Sequence, residues 1–170
     1  MAEHRKAQGF SFYAPQVRAL LPIDLHIPKR LRRTARNNPF VLKVDTAFAD
    51  VIHACADTHD TTWINDDIID LYVNLHEQGY AHSVECWLDG VLVGGLYGLS
   101  LGSIFCGESM FSSATDASKI ALIHLCSRLK RGGYSLLDSQ FRNPHLDQFG
   151  LYEKPHDDYV ELVQRHITDI

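Results

Sequence analysis

Three polar residues stand within stretches that otherwise have the pattern of apolar strands, and their types suit chemistry on an amine. Glu108 directly follows Gly107, a residue type that lets the backbone approach a ligand closely. A carboxylate at this place is either a surface residue at a sheet edge or a receptor for a cationic group. The local sequence leaves both interpretations open.

Asp138 and Gln140 raise the same question on a second predicted strand. They are two residues apart, so both side chains point to one face, while Leu137 and Ser139 point to the other. Polar side chains on an inner strand need hydrogen-bond partners or a ligand, because burying them alone costs free energy. They would meet Glu108 only if both strand ends open onto one cleft.

Other kinds of site have less support in the sequence. His76 and His82 are six residues apart and lack the four-residue spacing that places two imidazoles on one helix face, so we expect no metal. No serine lies in a Gly-x-Ser-x-Gly pattern, so covalent serine catalysis is not expected either. The cysteines have no paired spacing and stand in apolar contexts, which favours buried free thiols. They are Cys55, Cys86, Cys106 and Cys126.

The segment SMFSSATDASK, residues 109–119, bears on cofactor use. Enzymes that use acetyl-CoA commonly hold its pyrophosphate on a glycine-rich turn at the start of a helix. This segment contains no glycine, and Asp116 would place a negative charge near the phosphate. This segment argues against CoA. We expect that the protein uses no cofactor.

The composition indicates one domain. With 170 residues, of which 45% are hydrophobic, the chain can bury a single core. It has no apolar run of membrane-spanning length and no basic leader followed by an apolar stretch. We therefore expect a cytoplasmic protein rather than a membrane or secreted one.

A cluster of basic residues interrupts an otherwise acidic chain. Five of the eight residues in segment 29–36 are cationic, whereas the whole chain has a net charge of −5. They are Lys29, Arg30, Arg32, Arg33 and Arg36. Such a cluster either contacts a nucleic-acid backbone by displacing condensed counterions or forms an ordinary solvated helix face, and both interpretations stay open here.

Two helices are predicted before the first strand that could carry these groups. The apolar spacing predicts a helix over 46–56 capped by Asp45 and a second over 66–78 capped by Asn65. The period then changes to that of strands.

The predicted strands form a meander followed by alternating elements. SVECWL and VLVGGLYGLS are joined by an Asp89-Gly90 turn, and SIFCGESMF follows. A helix over 117–131, an inner strand YSLLDSQ and a helix over 156–168 complete the order. This order predicts an α+β protein with a mixed, mainly antiparallel sheet and helices on its faces, as in the GCN5-related N-acetyltransferase-like acyltransferase fold.

An ordered series of motifs resembles the bacterial leucyl/phenylalanyl-tRNA–protein transferases. The motifs are VLKVDTAFADVIHACA (41–56), TTWI (61–64), LHEQGYAHSVECW (75–87), LVGGLYG (92–98), FCGESMFS (105–112), ASKIAL (117–122) and LLDSQ (136–140). The resemblance implies an aminoacyltransferase that needs neither CoA nor metal. It would transfer Leu or Phe, with Met as a further candidate, from charged tRNA to an N-terminal Lys or Arg of an acceptor protein and so mark that protein for degradation.

The resemblance also implies roles for individual residues. Glu108 would bind the cationic end of the acceptor, Gln140 would orient the amine, and Asp138 would accept or relay its proton. The basic residues of segment 29–36 would contact tRNA phosphates. The donor side-chain pocket would be formed by Trp63, Leu96, Phe105, Leu129 and Leu137.

Some features depart from the family pattern. Typical members begin with a further small domain bearing a Phe-Pro-Trp segment, so residues 1–40 are expected to be a remnant of an N-terminal region and 41–170 the acyltransferase-like domain. The Ile-Pro-Arg of the family is Lys154-Pro155-His156 here, and its Ser-Leu-Gly-Ala is Gln148-Phe149-Gly150-Leu151. Two alternatives stay open: an N-acyltransferase that uses another donor such as acyl-CoA, and a noncatalytic module that binds tRNA or basic peptide ends.

Overall fold

A computed structural model describes residues 1–3, 6–58 and 62–168. Thr61, the first residue of the TTWI motif, lies outside these ranges. Within them, no helix is both long and apolar enough to cross a bilayer.

In the described part of the chain, seven strands form one sheet in the order β2-β3-β4-β5-β6-β1-β7. All neighbouring pairs are antiparallel except β5 and β6, which are parallel. The strands are β1 Val17–Leu21, β2 Val41–Val44, β3 Ala81–Leu88, β4 Val91–Leu101, β5 Ile104–Ser112, β6 Leu136–Gln140 and β7 Tyr152–Pro155. The prediction of a mixed, mainly antiparallel sheet is confirmed.

Helices cover both faces of the sheet. They are α1 Lys29–Arg36, α2 Phe48–Asp57, α3 Asp66–Glu77, α4 Ala117–Arg131, α5 Pro144–Asp147 and α6 His156–His166. The alternation along β4 shows the two layers, because buried Leu96 packs in the cluster that contains α4, whereas buried Tyr97 packs in the cluster formed with α2 and α3. Next to β1 and β6, α6 covers the same side as Leu20 and Leu136.

Several local predictions are confirmed. Asn65 caps α3, since its side chain accepts a hydrogen bond from the Ile68 N–H at 2.9 Å. Asp89 and Gly90 both have positive φ angles, of 51° and 80°, as a two-residue hairpin between right-twisted strands requires. The helix predicted over 117–131 is α4.

The predicted helix over 46–56 begins two residues late and has a different cap. Asp45 is in a left-handed conformation with φ 59° and instead accepts hydrogen bonds from Ser83 N–H and His82. The free N–H groups before α2 are bound by Glu85 on β3, which accepts from Thr46 and Ala47 at 2.8 and 2.9 Å. The carboxylate of Glu85, on a neighbouring strand, therefore caps the start of α2 in place of the predicted local residue.

The predicted division at residue 40 cuts across the sheet. β1 belongs to the 1–40 segment, yet it lies between β6 and β7 and pairs with both. Its residues Leu20 and Leu21 are buried on opposite faces of the sheet. Part of the segment expected to be a remnant is therefore an inner strand of the same sheet.

A glycine brings α4 close to the sheet. A Cβ atom at Gly94 would lie 2.4 Å from the Cβ of Ala117, the first residue of α4. The absent side chain lets the start of α4 pack directly on β4. This contact gives a structural reason for the first glycine in the LVGGLYG motif.

Candidate active site

The three polar residues singled out in the sequence line one cavity. Its volume is about 400 Å³, and its lining includes Glu108, Asp138 and Gln140. The parallel pairing of β5 and β6 brings them together, because Cys106 is in register with Asp138 and both strands run toward the same end. The cleft that the sequence required for these residues to meet is present.

Apolar side chains form the other walls of this cavity. Trp63, Leu96 and Leu137 lie in it, as the resemblance implied for the donor pocket, together with Leu122 and Leu125 of α4. Tyr97 also lines it, and the Tyr97 hydroxyl is the buried side-chain polar atom that lacks a hydrogen-bond partner among the described residues.

Phe105 and Leu129, the other two residues assigned to the donor pocket, lie elsewhere. They line a separate cavity of about 520 Å³ near the end of α4, with Arg128 and Tyr134 at its edge. Leu125 lines both cavities, so its side chain stands between them. The structure therefore brings together three of the five predicted pocket residues.

Glu108 and Gln140 also line a third cavity, of about 280 Å³. Its walls are largely aromatic and include Phe10, Phe12 and Tyr72. Glu108 and Gln140 thus stand at the junction of an apolar cavity and an aromatic one. Two ligand groups, one bound in each cavity, would meet beside these two side chains.

Asp138 is fully buried and surrounded by hydrogen-bond donors. Arg18 donates from Nε at 2.9 Å and from Nη2 at 2.7 Å to Oδ2, and Tyr159 donates its hydroxyl to the same oxygen at 2.7 Å. The other oxygen, Oδ1, accepts the backbone N–H of Gln140 at 2.8 Å and a longer contact from Arg18 Nε. The Asp138 hydrogen bond and charge keep the pKa of Arg18 raised, although burial opposes this.

Gln140 has an unusual backbone conformation that Asp138 stabilises. Its φ angle is 65°, in the left-handed region that disfavours residues with a side chain. The hydrogen bond from its N–H to Asp138 closes a local turn that holds this conformation. Its side chain lines the same two cavities as Glu108, so the carboxylate on β6 helps to hold the amide beside Glu108.

Glu108 has a different environment from Asp138. The nearby side chains of Gln140 and Tyr72 favour the charged form of its carboxyl group. Burial outweighs them, and the negative charge of Asp138 acts in the same direction, so the pKa of Glu108 is raised. A cationic group beside Glu108 would relieve this cost.

Sequence reasoning missed three residues of this site. Arg18 lies on β1, which shows no strand pattern of its own, and Tyr159 lies on the closing helix α6. Tyr72 lies on α3 and lines the third cavity together with Glu108. No local signal distinguished these residues, because their partners are far away in the chain.

The basic residues lie on α1. The five cations of segment 29–36 are exposed on this helix, which is anchored by buried Leu31. Arg30 makes a two-point ion pair with Asp116 at 2.7 and 2.8 Å, so one cation of the five is directed to the start of α4. The hydrogen bond and charge of Arg30 lower the pKa of Asp116.

The residues that the structure describes include no group of three or more His, Cys, Asp or Glu side chains suited to hold a metal ion. The thiol of Cys106, beside Asp138 and Glu108, has a pKa raised to about 12, mainly by burial. It is therefore a thiol rather than a thiolate nucleophile near pH 7.

Comparisons with known proteins give relatives over most of the chain. The family model described as leucyl/phenylalanyl-tRNA protein transferase matches residues 19–164. A protein of that name from Hyphomonas neptunium is 57% identical, with 90% of this chain and 61% of that protein covered. Its namesake from Caulobacter vibrioides is 53% identical, with 99% of this chain and 79% of that protein covered.

Solved structures that resemble the chain share its fold at low identity. A crystal structure of FemX superposes with a TM-score of 0.64 at 12% identity, covering 95% of this chain and 68% of that one. The C-terminal domain of a putative lysylphosphatidylglycerol synthetase from Agrobacterium fabrum gives 0.54 at 10% identity, covering 91% and 68%. At these identities the likeness shows the fold alone.

Proposed function

Because the chain belongs to the leucyl/phenylalanyl-tRNA–protein transferase family, we propose that it transfers leucine or phenylalanine from charged tRNA to the N-terminal Lys or Arg of acceptor proteins. The observation that carries this proposal is the position of Glu108 and Gln140 between two cavities. An acyl donor and an amine acceptor need opposite approaches to one point, and the junction provides them.

The apolar cavity suits the donor side chain. Trp63, Leu96 and Leu137 line it, and a volume of about 400 Å³ admits a leucyl or phenylalanyl group. A hydrophobic pocket distinguishes donors by about 1–3 kcal/mol per missing methylene, which favours Leu, Phe or Met over Ala.

The acceptor would approach through the aromatic cavity. Its cationic amino terminus would lie beside Glu108, whose burial makes an uncompensated negative charge unfavourable. Gln140 would orient the amine toward the ester of the donor. An aminoacyl ester is already activated, so orientation and removal of one proton suffice for transfer.

Exposed α1 would contact the tRNA backbone. Four of its cations make no ion pair with another described side chain, since only Arg30 is held by Asp116. They are Lys29, Arg32, Arg33 and Arg36.

We place the activity in the cytoplasm, where charged tRNA is made, and propose that the added residue marks the acceptor for degradation. The sheet is proposed to be of the GCN5-related N-acetyltransferase type.

The test measures transfer of labelled Leu, Phe, Met and Ala from charged tRNA onto peptides that begin with Lys, Arg or Ala. We expect transfer of Leu and Phe to peptides beginning with Lys or Arg, about 10-fold or more above Ala as donor. RNase treatment of the donor should abolish transfer. Transfer that survives RNase and depends on acyl-CoA would replace the proposal with an N-acyltransferase, and peptide binding without transfer would indicate a noncatalytic module.

A further inference from the structure

We propose that the second cavity, of about 520 Å³ near the end of α4, is a separate binding site that takes an organic carboxylate with an apolar body. The inference goes beyond the proposed transfer reaction, because it assigns a ligand to a cavity that the reaction does not use. Cationic side chains around an apolar floor carry it.

The floor of the second cavity is apolar. Phe105 and Leu129 line it and are 2% and 4% exposed. Leu125, one helical turn before Leu129, separates it from the cavity lined by Asp138, and Val44 on β2 adds an aliphatic wall. The volume admits a phenyl ring or a branched alkyl chain, whose transfer from water onto such side chains is favourable.

Two arginines lie at the mouth of this cavity. Arg128 and Arg131 line it from the last turn of α4, and both residues are exposed. Neither has a carboxylate partner among the residues that the structure describes, whereas Lys130 pairs with Asp24 at 2.8 Å. Guanidinium groups without a counter-charge beside an apolar floor favour an anionic ligand, and their planar geometry matches a carboxylate.

The end of α4 leaves these positive charges available. A helix C-terminus has partial negative charge on its free carbonyl groups, which would repel an anion. Here the backbone N–H groups of residues 132–134 donate to carbonyls of the last turn at 2.8 to 3.3 Å. Because backbone donors occupy these carbonyls, the guanidinium groups are not needed to satisfy them.

A third group that can carry positive charge lies across the cavity from the arginines. His82 on β3 lines the cavity, and its Nδ1 is in hydrogen-bond contact with Asp45 at 2.8 Å. This hydrogen bond and the charge of Asp45 raise the pKa of His82, although burial opposes them. The charge of Arg128 also opposes protonation of His82, so the two groups repel each other when both are charged. An anion bound between them would relieve this repulsion.

Asp45 limits the charge of the ligand. It lines the same cavity, and 31% of its side chain is exposed. Burial alone would raise the pKa of Asp45, but the hydrogen bonds with His82 and the Ser83 N–H lower it, so Asp45 stays charged. This carboxylate would repel a doubly charged ligand more than a singly charged one, which favours a carboxylate over a phosphate.

The experiment measures binding of 3-phenylpropionate to the wild-type chain by isothermal titration calorimetry, without tRNA or acceptor peptide. We expect two partial probes to bind at least about 10-fold more weakly: 3-phenylpropan-1-ol, which lacks the charge, and acetate, which lacks the ring. Inorganic phosphate should not compete with 3-phenylpropionate. Added salt should weaken binding, because the arginines are exposed.

Substitutions test the two parts of the site separately. Arg128→Gln and Arg131→Gln should each weaken binding of 3-phenylpropionate about 3- to 10-fold. Lys130→Gln is the matched control, because it removes the same charge from the same turn but its side chain pairs with Asp24, so Kd should change less than about 2-fold. Val44→Phe places a ring in the cavity and keeps both arginines, so it should also weaken binding.

Backbone amide chemical shifts show where 3-phenylpropionate binds. The largest changes should occur at Ser83, Leu129 and Gly132, which line the second cavity, and small ones at Gln140, which lines the other. Circular dichroism checks that each variant is folded. If one arginine variant unfolds, the other variant and the series of probes decide the outcome.

Several results would overturn the inference. They are no binding of 3-phenylpropionate at millimolar concentration, equal binding of the alcohol, an equal loss in Lys130→Gln, and chemical shift changes centred on Gln140. Competition by inorganic phosphate would show a phosphate site instead of a carboxylate site. Absence of aminoacyl transfer would reject the proposed function and leave this test unaffected, because the binding measurement involves no transfer.

Discussion

Glu85 and Glu108 are acidic residues on strands of the same sheet, and their surroundings differ sharply. Glu85 on β3 is 0% exposed and accepts hydrogen bonds from Thr46, Ala47, Ser83 and Trp87. Burial alone would raise its pKa, but these donors together lower it. Glu85 is a carboxylate whose charge the fold stabilises.

Glu108 on β5 has the opposite balance. Burial dominates at Glu108 and outweighs the nearby side chains of Gln140 and Tyr72, so its pKa is raised. Its side chain lines two cavities, whereas the carboxylate of Glu85 is directed into the start of α2. The comparison indicates that the balance between hydrogen bonding and burial, rather than burial alone, separates a structural carboxylate from one prepared to bind a cation.

The largest loss of stability should come from Arg18→Ala, which removes the ion-pair partner of Asp138. It leaves Asp138 buried with its charge uncompensated, which costs about 3–5 kcal/mol of unfolding free energy. Urea denaturation measures this. Arg18→Lys should recover part of the loss because it restores the charge without the two-point geometry. Arg32→Ala, on the exposed face of α1, should change stability by less than about 0.5 kcal/mol, and an equal loss there would contradict the assignment.

Glu85→Ala should have the next largest effect. The N–H groups of Thr46 and Ala47 and the Trp87 ring N–H would lose their acceptor, at a cost of about 2–3 kcal/mol. Urea denaturation again supplies the value. Hydrogen exchange should also speed up at the start of α2 more than in α4. Uniform acceleration across both helices would indicate that Glu85 does not act as the cap.

The elements defined by local sequence were predictable. Asn65 accepts from an N–H three residues later, and Asp89-Gly90 has the two positive φ angles that its residue types allow. Such contacts lie within a few residues, so their chemistry is visible in the sequence. The same holds for α4, whose boundaries match the predicted range 117–131.

The contacts that decide the chemistry were not predictable locally. Arg18 and Asp138 are 120 residues apart, and Thr46 and Glu85 are 39 apart, so neither carboxylate's partners appear beside it in the sequence. β1 and β7 are short strands defined by their pairing rather than by alternation. Glu85 alternates with apolar residues in SVECWL, and nothing beside it in the sequence shows that it is fully buried.

The predicted donor pocket shows the same contrast between what the sequence predicts and what depends on contacts between distant residues. The family resemblance assigned five apolar residues to it, yet two of them, Phe105 and Leu129, line a second cavity. Phe105 is in register with Leu137 on the neighbouring strand, so the two side chains are close although they line different cavities. Assignment to one cavity or the other depends on α4 packing, in which Leu125 separates them.

A smaller loss of stability is expected when one of the hydrogen-bond donors to Asp138 is removed. Tyr159→Phe leaves Asp138 with its Arg18 and Gln140 partners, so unfolding free energy should fall by about 1 kcal/mol. Thermal and urea denaturation measure this. Tyr152→Phe, on β7, is a matched control with a partly exposed ring and should change stability less. A loss as large as that of Arg18→Ala would show that the hydroxyl, rather than the ion pair, dominates the site.

Glu108→Gln should have the smallest effect on stability and the opposite sign. Because the folded-state pKa of Glu108 is raised above 4.5, the folded protein retains this proton at pH values where the unfolded chain has lost it. Stability attributable to Glu108 is thus present at low pH and is lost as pH rises from about 4.5 through the folded-state pKa. The variant should melt above the wild type at pH 8, and the difference should shrink toward pH 4. Glu85→Gln should show no such gain at pH 8, because Glu85 is stabilised in its charged form, and a gain in both variants would remove the distinction between the two carboxylates.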